Sequence, residues 1–160
     1  MSDIVKIGLI QAHHETPGEA PVEEHKRVAI AKHVKMIREA AQRGAQIVCL
    51  QELFYGPYFC TEQSPKWYDA TEEVPDGPTT RLMADLAREL GIALVVPLYE
   101  RTISGVYYNT AVIIDADGKV LGIYRKHHIP QVAAGPAGCG FWEKYYFKPG
   151  NAGFPTFQTK

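Results

Sequence analysis

The apolar and polar positions in the first third of the chain predict a strand, a helix and a second strand. Residues 4–10 are rich in Ile, Val and Leu without strict alternation, a pattern typical of a strand that is covered on both faces. Residues 21–44 carry apolar side chains at a helical spacing, and Gly44, the last of them, is the residue expected to end the helix. The stripe predicted to face the core is Ile30, Val34, Ile37 and Ala41. With the apolar run at 47–50, these elements form a βαβ unit.

The same order of elements returns after a polar loop. Asp76, Gly77 and Pro78 introduce a second helix, which Gly91 ends. Its residues predicted to face the core are Leu82, Leu86 and Leu90. Residues 93–99 then form a third strand, so the alternation continues as βαβαβ.

A hairpin then breaks the alternation. Residues 107–114 and 119–124 form two strands, joined by an Asp-Ala-Asp-Gly turn at 115–118. The predicted fold is therefore α/β, with a mixed sheet and helices on at least one face. Residues 129–140 hold two Pro, three Gly and three Ala and are expected to form a long loop of a kind that is often functional.

The last residues predict a strand that has no partner. Residues 154–158 have the pattern of a hairpin arm or a sheet edge, and an unpaired strand exposes backbone groups and apolar surface. We therefore expect residues 1–160 to be a single domain that is one piece of a longer protein.

Composition and charge narrow the function classes. Of the 160 residues, 46% are hydrophobic, and 17 Lys and Arg oppose 18 Asp and Glu for a net charge of −1. A chain with this balance has no general attraction for nucleic acid or for an anionic membrane, so neither is an expected partner. The apolar run near the amino terminus is too short for a signal peptide or a membrane span, which makes the cytoplasm the expected location.

Cysteine and histidine usage gives no sign of a metal site. Cys49, Cys60 and Cys139 form no CxxC pair and are odd in number, which argues against a disulfide framework or structural zinc. His13 and His14 are adjacent at a strand end and are expected to point in opposite directions. The six histidines include no HxH or HExxH spacing. No metal is expected.

Two charged residues follow predicted strands, where ligands collect in open α/β sheets. Glu52 follows the second strand, and Lys126 follows the strand at 119–124. A carboxylate beside an ammonium can accept a proton from a nucleophile while the ammonium stabilises an oxyanion, as amide hydrolysis requires. Neither attacks carbon well, so a cysteine thiolate is the expected third group. The alternative is an ion pair that only closes a loop.

Three segments in order resemble the nitrilase superfamily, the carbon-nitrogen hydrolases. They are LQELFYGPYFC, YRKHHIP and WEKYYFKPGNAGFPTF, and the similarity runs from about Lys6 to the end. Among the branches of this superfamily, the segments look most like the β-ureidopropionases and the related N-carbamoylputrescine amidases. It implies the N-terminal half of a four-layer αββα sandwich, no metal or organic cofactor, a small-molecule amide substrate, and a homodimer or larger homo-oligomer.

The resemblance also implies residue roles. Glu52 matches the general base, Lys126 the oxyanion-stabilising residue, and Glu143 a second glutamate that orients the site. The matching nucleophilic cysteine would lie beyond Lys160, so the chain alone is expected to be inactive. Cys49 is expected to be a core thiol, Cys60 matches a cysteine that is not the nucleophile, and Cys139 lies in an apparent insertion.

The substrate pocket is predicted from rings and one histidine. Tyr58 is the expected substrate contact in an aromatic wall with Phe54, Tyr55 and Phe59, and Trp142, Tyr145 and Tyr146 could close the opposite side. His128 is predicted to hold the loop or to contact substrate. Two alternatives stay open: another amidase or nitrilase of the superfamily, or a non-catalytic α/β interaction module. No phosphate-binding glycine motif supports nucleotide binding.

Overall fold

The computed structural model describes residues 4–103, 105–134, 138 and 140–160. Within these ranges the strands are β1 (Ile7–Leu9), β2 (Ile47–Cys49), β3 (Ala93–Ile103), β4 (Val106–Ile114) and β5 (Val120–Arg125). The helices are α1 (Val22–Gln42), α2 (Pro78–Leu90) and the short α3 (Glu143–Tyr146). Two 3-10 turns, Phe59–Thr61 and Pro65–Ala70, lie in the loop between β2 and α2.

The strands form one mixed sheet in the order β1-β2-β3-β4-β5. The pairs β1/β2 and β2/β3 are parallel, whereas β3/β4 and β4/β5 are antiparallel. Two reversals restore the original direction, so β5 runs the same way as β2. The predicted mixed sheet is confirmed, and the residues that follow β2 and β5 leave the same edge.

Helix α1 forms as its pattern predicts. Ile37 is fully buried, and Ile30, Val34 and Ala41 pack against the core. After Arg43 the backbone of Gly44 takes a φ of 86°, and its N–H bonds the carbonyl of Ala41 at 2.9 Å, which ends the helix.

Helix α2 has a different core stripe from the one predicted. Leu86 is buried, but Leu82 is 44% exposed, and Met83 and Ala87 are fully buried instead. The helix is rotated so that a thioether and small side chains pack on the sheet, because close approach favours small residues over a row of leucines. The prediction for Leu82 is therefore wrong.

The helices cover one face of the sheet. Gly8, Val48 and Leu94 share a row on that face, and the Cβ of Ala40 in α1 lies 3.3 Å from where a Cβ on Gly8 would be. On the other face, Ile7 is 62% and Leu9 is 81% exposed. The prediction that the first strand is covered on both faces is wrong for the described chain, because no described element lies over these two side chains.

Residues 154–158 do not form the predicted strand. They form no ladder with a described strand, and Phe157 packs its ring over Gly122 of β5, where an added Cβ would lie 2.5 Å from the ring. The contact is therefore made by the Phe157 ring on the backbone of Gly122 rather than by pairing of two backbones. The described part of the predicted loop at 129–140 has one isolated bridge, Val132 to Phe141. No described helix is long and apolar enough to cross a membrane.

Candidate active site

Lys126 lies between two carboxylates from distant parts of the chain. Its Nζ donates to Glu52 Oε1 at 2.8 Å and to Glu143 Oε2 and Oε1 at 2.7 and 2.9 Å. The ammonium thus bridges residues 74 positions upstream and 17 positions downstream. The three residues expected from the sequence to be catalytic therefore share one hydrogen-bonded cluster, in which two negative charges face one positive charge.

The sheet places Glu52 and Lys126 at the same edge. Beyond β2 the chain turns away at Leu53, a non-glycine residue with a φ of 50°. Beyond the end of β2, the Tyr55 hydroxyl takes over the hydrogen bonding to β3. It donates to the backbone carbonyl of Tyr99 at 3.4 Å and accepts from the backbone N–H of Tyr99 at 2.8 Å. This exchange keeps the buried backbone of β3 bonded while Glu52 enters the site.

Backbone bonds on both sides fix the start of the loop that carries Lys126. Its N–H bonds the carbonyl of Asn109 in β4 at 2.9 Å, and its carbonyl accepts from the N–H of Gly150 at 2.8 Å. A Cβ on Gly150 would lie 2.1 Å from the carbonyl oxygen of Arg125. The close approach of these two segments therefore requires a residue without a side chain at position 150.

The two carboxylates differ in exposure. The side chain of Glu143 is 2% exposed, that of Lys126 is 29% exposed, and that of Glu52 is 42% exposed. Burial lowers the pKa of Lys126, but the hydrogen bonds to Glu143 and Glu52 raise it by more, so its net pKa lies above the usual value. The ammonium therefore stays charged at neutral pH, and Glu52 is the carboxylate that opens toward solvent.

Asn109 belongs to the cluster, and the sequence interpretation missed it. Its Nδ2 donates to Glu52 Oε1 at 2.7 Å, and its side chain is nearly buried, with the residue 6% exposed. The signal that could have found it is the amide in the strand YYNTAVII, because asparagine is disfavoured within strands and a buried amide needs partners.

Tyr58 lies on the Glu143 side of the cluster. Its hydroxyl donates to Glu143 Oε1 at 2.7 Å, and the residue is 37% exposed. Of the other rings predicted to form the wall, Phe54, Tyr55 and Phe59 lie in the core. Tyr58 is thus the member of this wall with a polar contact to the cluster, whereas its contact with substrate remains a prediction.

The aromatic residues around Glu143 differ in their contacts and in their exposure. The Tyr146 hydroxyl donates to the carbonyl of Glu62 and accepts from the N–H of Ser64, which attaches α3 to the loop after β2. Tyr145 is 38% exposed. The backbone N–H of Trp142 donates to the backbone carbonyl of Cys60 at 2.7 Å. These contacts hold Glu143 in place rather than line an enclosed chamber.

His128 lies beside the cluster without joining it. It is exposed and, with Lys126, Lys144 and Pro149, lines an open cleft of about 540 Å³. Its side chain makes no hydrogen bond to another described residue, so the predicted loop-holding bond is wrong for the described chain and a substrate contact stays a prediction. The neighbouring His127 stacks on Phe154 with ring centroids 4.2 Å apart.

The described cysteines are poor nucleophiles. Cys60 is fully buried, and its pKa is raised first by burial and then by the carboxylates of Glu143 and Glu52. Burial also raises the pKa of Cys49 in β2. Cys139 lies outside the described residues. A reactive thiolate needs the opposite conditions, exposure and nearby positive charge, so neither described thiol fits that role.

The remaining histidines do not assemble a metal centre. His14 and His25 face each other with Nε2 and Nδ1 2.6 Å apart, and the His13 side chain is 82% exposed. Within the part of the chain that the structure describes, no group of three or more His, Cys, Asp or Glu side chains could hold a metal ion.

Comparison with known proteins gives one consistent result. A family model described as carbon-nitrogen hydrolase matches residues 6–160. The N-carbamoylputrescine amidase of Solanum lycopersicum is 44% identical over 131 residues, covering 82% of this chain and 41% of the relative. The β-ureidopropionase of Arabidopsis thaliana is 36% identical over 159 residues, covering 98% of this chain and 37% of the relative.

A solved structure agrees with the sequence relatives. The crystal structure of a carbon-nitrogen hydrolase from Helicobacter pylori G27 matches with a TM-score of 0.78 at 30% identity, covering 97% of this chain and 48% of that chain. The chain thus spans about two fifths of the length of the curated relatives and about half of the solved one. On its match over residues 6–160, the chain belongs to the carbon-nitrogen hydrolase family.

Proposed function

We propose that the protein to which this chain belongs hydrolyses a carbon–nitrogen bond through a cysteine thioester, with Glu52 as general base and Lys126 as oxyanion donor. The observation that carries the proposal is the position of one ammonium, within 2.9 Å of carboxylate oxygens from both Glu52 and Glu143. The thiolate would come from the part of the relatives' length that this chain does not span.

Glu52 suits the proton transfers. Its carboxylate is the more exposed of the two, so a thiol and later a water can reach it. The thiol proton passes to Glu52 as sulfur attacks the carbonyl carbon, and Glu52 returns it to the nitrogen as the C–N bond breaks. A water then gives a proton to Glu52 and attacks the thioester, and that proton goes to the departing sulfur.

Lys126 suits the oxyanion that forms in each attack. An ammonium has three N–H donors, and both oxygens of Glu143 lie within 2.7–2.9 Å of Nζ. If one N–H is shared between these two oxygens and a second bonds Glu52, the third can donate to a substrate oxygen. The raised pKa keeps the charge in place throughout the neutral range. An ammonium held before substrate arrives needs little reorganisation when the negative charge develops.

Glu143 suits an orienting role. It is buried and bonded by both Lys126 and Tyr58, so it can hold the ammonium without meeting the substrate. A buried carboxylate with these partners stays fixed while Glu52 takes and releases protons.

The substrate class that we propose is an N-carbamoyl amine or an N-carbamoyl-β-amino acid. The support is the names of the relatives, N-carbamoylputrescine amidase and β-ureidopropionase. The products would be the amine and a carbamate, which decomposes to carbon dioxide and ammonia. We also propose a homodimer or a larger homo-oligomer.

The test is ammonia release by the full-length protein from N-carbamoyl-β-alanine, N-carbamoylputrescine and a simple aliphatic amide. Glu52→Gln is expected to lower kcat by about 10²–10⁴, and Lys126→Ala by about 10²–10³. The control is Glu73→Gln, because the Glu73 side chain is 70% exposed and lies 3.7 Å from Arg101, away from the cluster. Wild-type rates in Glu52→Gln would exclude it as the base. Activity on the aliphatic amide alone would point to another amidase of the family.

A further inference from the structure

Both hydrogen bonds to the Glu52 carboxylate end on the same oxygen. Lys126 Nζ donates to Oε1 at 2.8 Å, and Asn109 Nδ2 donates to Oε1 at 2.7 Å. None of the residues that the structure describes donates to Oε2. The two carboxylate oxygens are therefore not equivalent: one is held by two donors, and the other accepts no hydrogen bond from the described part of the chain.

Asn109 is built into the sheet at the position where it can hold this oxygen. It pairs with Tyr99 in the register of β3 and β4, and its carbonyl accepts the N–H of Lys126 at 2.9 Å. A single residue therefore contacts both members of the pair, one through its side chain and the other through its backbone. Because the residue is 6% exposed, its amide has little freedom to turn away.

We infer that Asn109 is a positioning residue that assigns the proton transfers to Oε2 of Glu52. This inference rests on the proposed function. With Oε1 held by Asn109 and Lys126, rotation of the carboxylate is restricted. Oε2 is then the oxygen left to accept a proton from a thiol or a water, on a side chain that is 42% exposed. A general base that is held in one orientation spends less time in orientations that cannot accept the proton, so the reaction is faster.

The chemistry of the side chain matches this role. A carboxylate is an acceptor, so it needs a donor, and the amide NH₂ is a neutral donor that adds no charge to a cluster with two carboxylates. A lysine or arginine here would compete with Lys126 for Glu52, and an ionised aspartate could not donate. Asparagine is therefore suited to hold Oε1 without changing the net charge.

Two variants of the full-length protein test the inference. Asn109→Leu keeps the approximate shape without the donor. It is expected to lower kcat by about 10- to 100-fold, because a hydrogen bond to the charged Glu52 carboxylate is lost and the base is no longer held in one orientation. Little change in KM is expected, because Asn109 acts on the base rather than on the bound substrate. Asn109→Asp has the native shape but donates only when protonated. Two adjacent carboxylates hold one proton more tightly than either alone. Its kcat relative to wild type is therefore expected to rise as the pH falls from about 8 to about 5.

The matched control is Asn151→Asp. Asn151 Oδ1 accepts from Arg125 at 2.6 Å, and aspartate keeps this acceptor. Its kcat relative to wild type is expected to stay flat over the same pH range. A structural role of Asn109 would lower the amount of folded protein, which circular dichroism measures, but would not produce the rise at low pH.

The outcomes separate the two levels of the proposal. A wild-type protein that releases no ammonia from any of the three amides overturns the proposed function and this inference with it. If the wild type is active, three results would overturn the inference alone. The first is a kcat of Asn109→Leu within about twofold of wild type, and the second is an effect of Asn109→Leu on KM but not on kcat. The third is a ratio of Asn109→Asp kcat to wild-type kcat that does not change with pH.

Discussion

Tyr58 and Glu143 lie 85 positions apart in the chain, and the hydroxyl of the first donates a hydrogen bond of 2.7 Å to Oε1 of the second. Burial raises the pKa of Tyr58, and the bond to Glu143 raises it further, so the hydroxyl keeps its proton well above neutral pH. The Tyr58 hydroxyl therefore joins the loop after β2 to α3 by a hydrogen bond whose donor stays protonated at neutral pH.

Removing this hydroxyl should loosen Glu143 without unfolding the protein. Tyr58→Phe is expected to lower the free energy of unfolding by about 1 kcal/mol and kcat by about 3- to 10-fold, as measured by urea titration and ammonia release. Tyr145→Phe is the control, since Tyr145 is equally exposed at 38% and its hydroxyl has no hydrogen bond to a described residue. Equal effects of the two variants would contradict a specific role for Tyr58.

Cys60 should resist alkylation although it lies close to the cluster. Burial and the nearby carboxylates of Glu143 and Glu52 raise its pKa, so little thiolate exists at pH 8. Mass spectrometry of the full-length protein after iodoacetamide should find Cys60 unmodified in buffer and modified in urea. Cys60→Ala should keep kcat near wild type. Loss of turnover in a folded Cys60→Ala protein would reopen the assignment of the nucleophile.

Adjacent residues of α2 should differ in their effect on stability. Met83 is fully buried, and Met83→Ala is expected to lower the free energy of unfolding by about 2–5 kcal/mol. Leu82 is 44% exposed, and Leu82→Ala should cost less than about 1 kcal/mol. Urea unfolding of both full-length variants measures the difference. The reverse order would show that the helix is rotated as the leucine spacing suggested.

Acid should weaken the protein partly through His14. Burial lowers the pKa of His14, and His25 and Lys32 lower it further, while Glu15 opposes them. Its folded pKa lies below the unfolded value of about 6.5. The unfolded state therefore binds more protons as the pH falls below that value, and stability is lost in that direction. The contact with His25, at 2.6 Å between ring nitrogens, needs one of the two facing nitrogens to lack a proton.

Unfolding measurements between pH 7 and 5 test the contribution of His14. The free energy of unfolding of His14→Gln should fall less steeply than that of wild type. His13→Gln should follow wild type, because the His13 side chain is 82% exposed. Parallel curves for wild type and His14→Gln would remove His14 from the explanation.

Local signals predicted the elements that form independently of distant parts of the chain. Helix α1 carries its own apolar stripe and a glycine at its end, and the hairpin between β4 and β5 turns at Gly118, with a φ of 82°. The pairing of Glu52 with Lys126 followed from one further rule, that strands with the same direction end at one edge.

The remaining features depend on which surfaces meet. The rotation of α2 is set by how closely it packs on the sheet, so the exposure of Leu82 is not encoded in leucine spacing. The exposure of Leu9 depends on what lies over the second face of the sheet, which an apolar strand cannot specify. Asn109 escaped notice because its importance comes from a carboxylate 57 positions away.

Gly150 shows how far the demands of this cluster extend. An added methyl group would strike the carbonyl oxygen of Arg125, and the only relief is for the backbone to separate, which carries the neighbouring Lys126 away from Glu52. Random mutagenesis scored by turnover would therefore return position 150 alongside the ionisable residues. Its sensitivity would come from steric exclusion, and no ligand contact at that glycine would be needed to explain it.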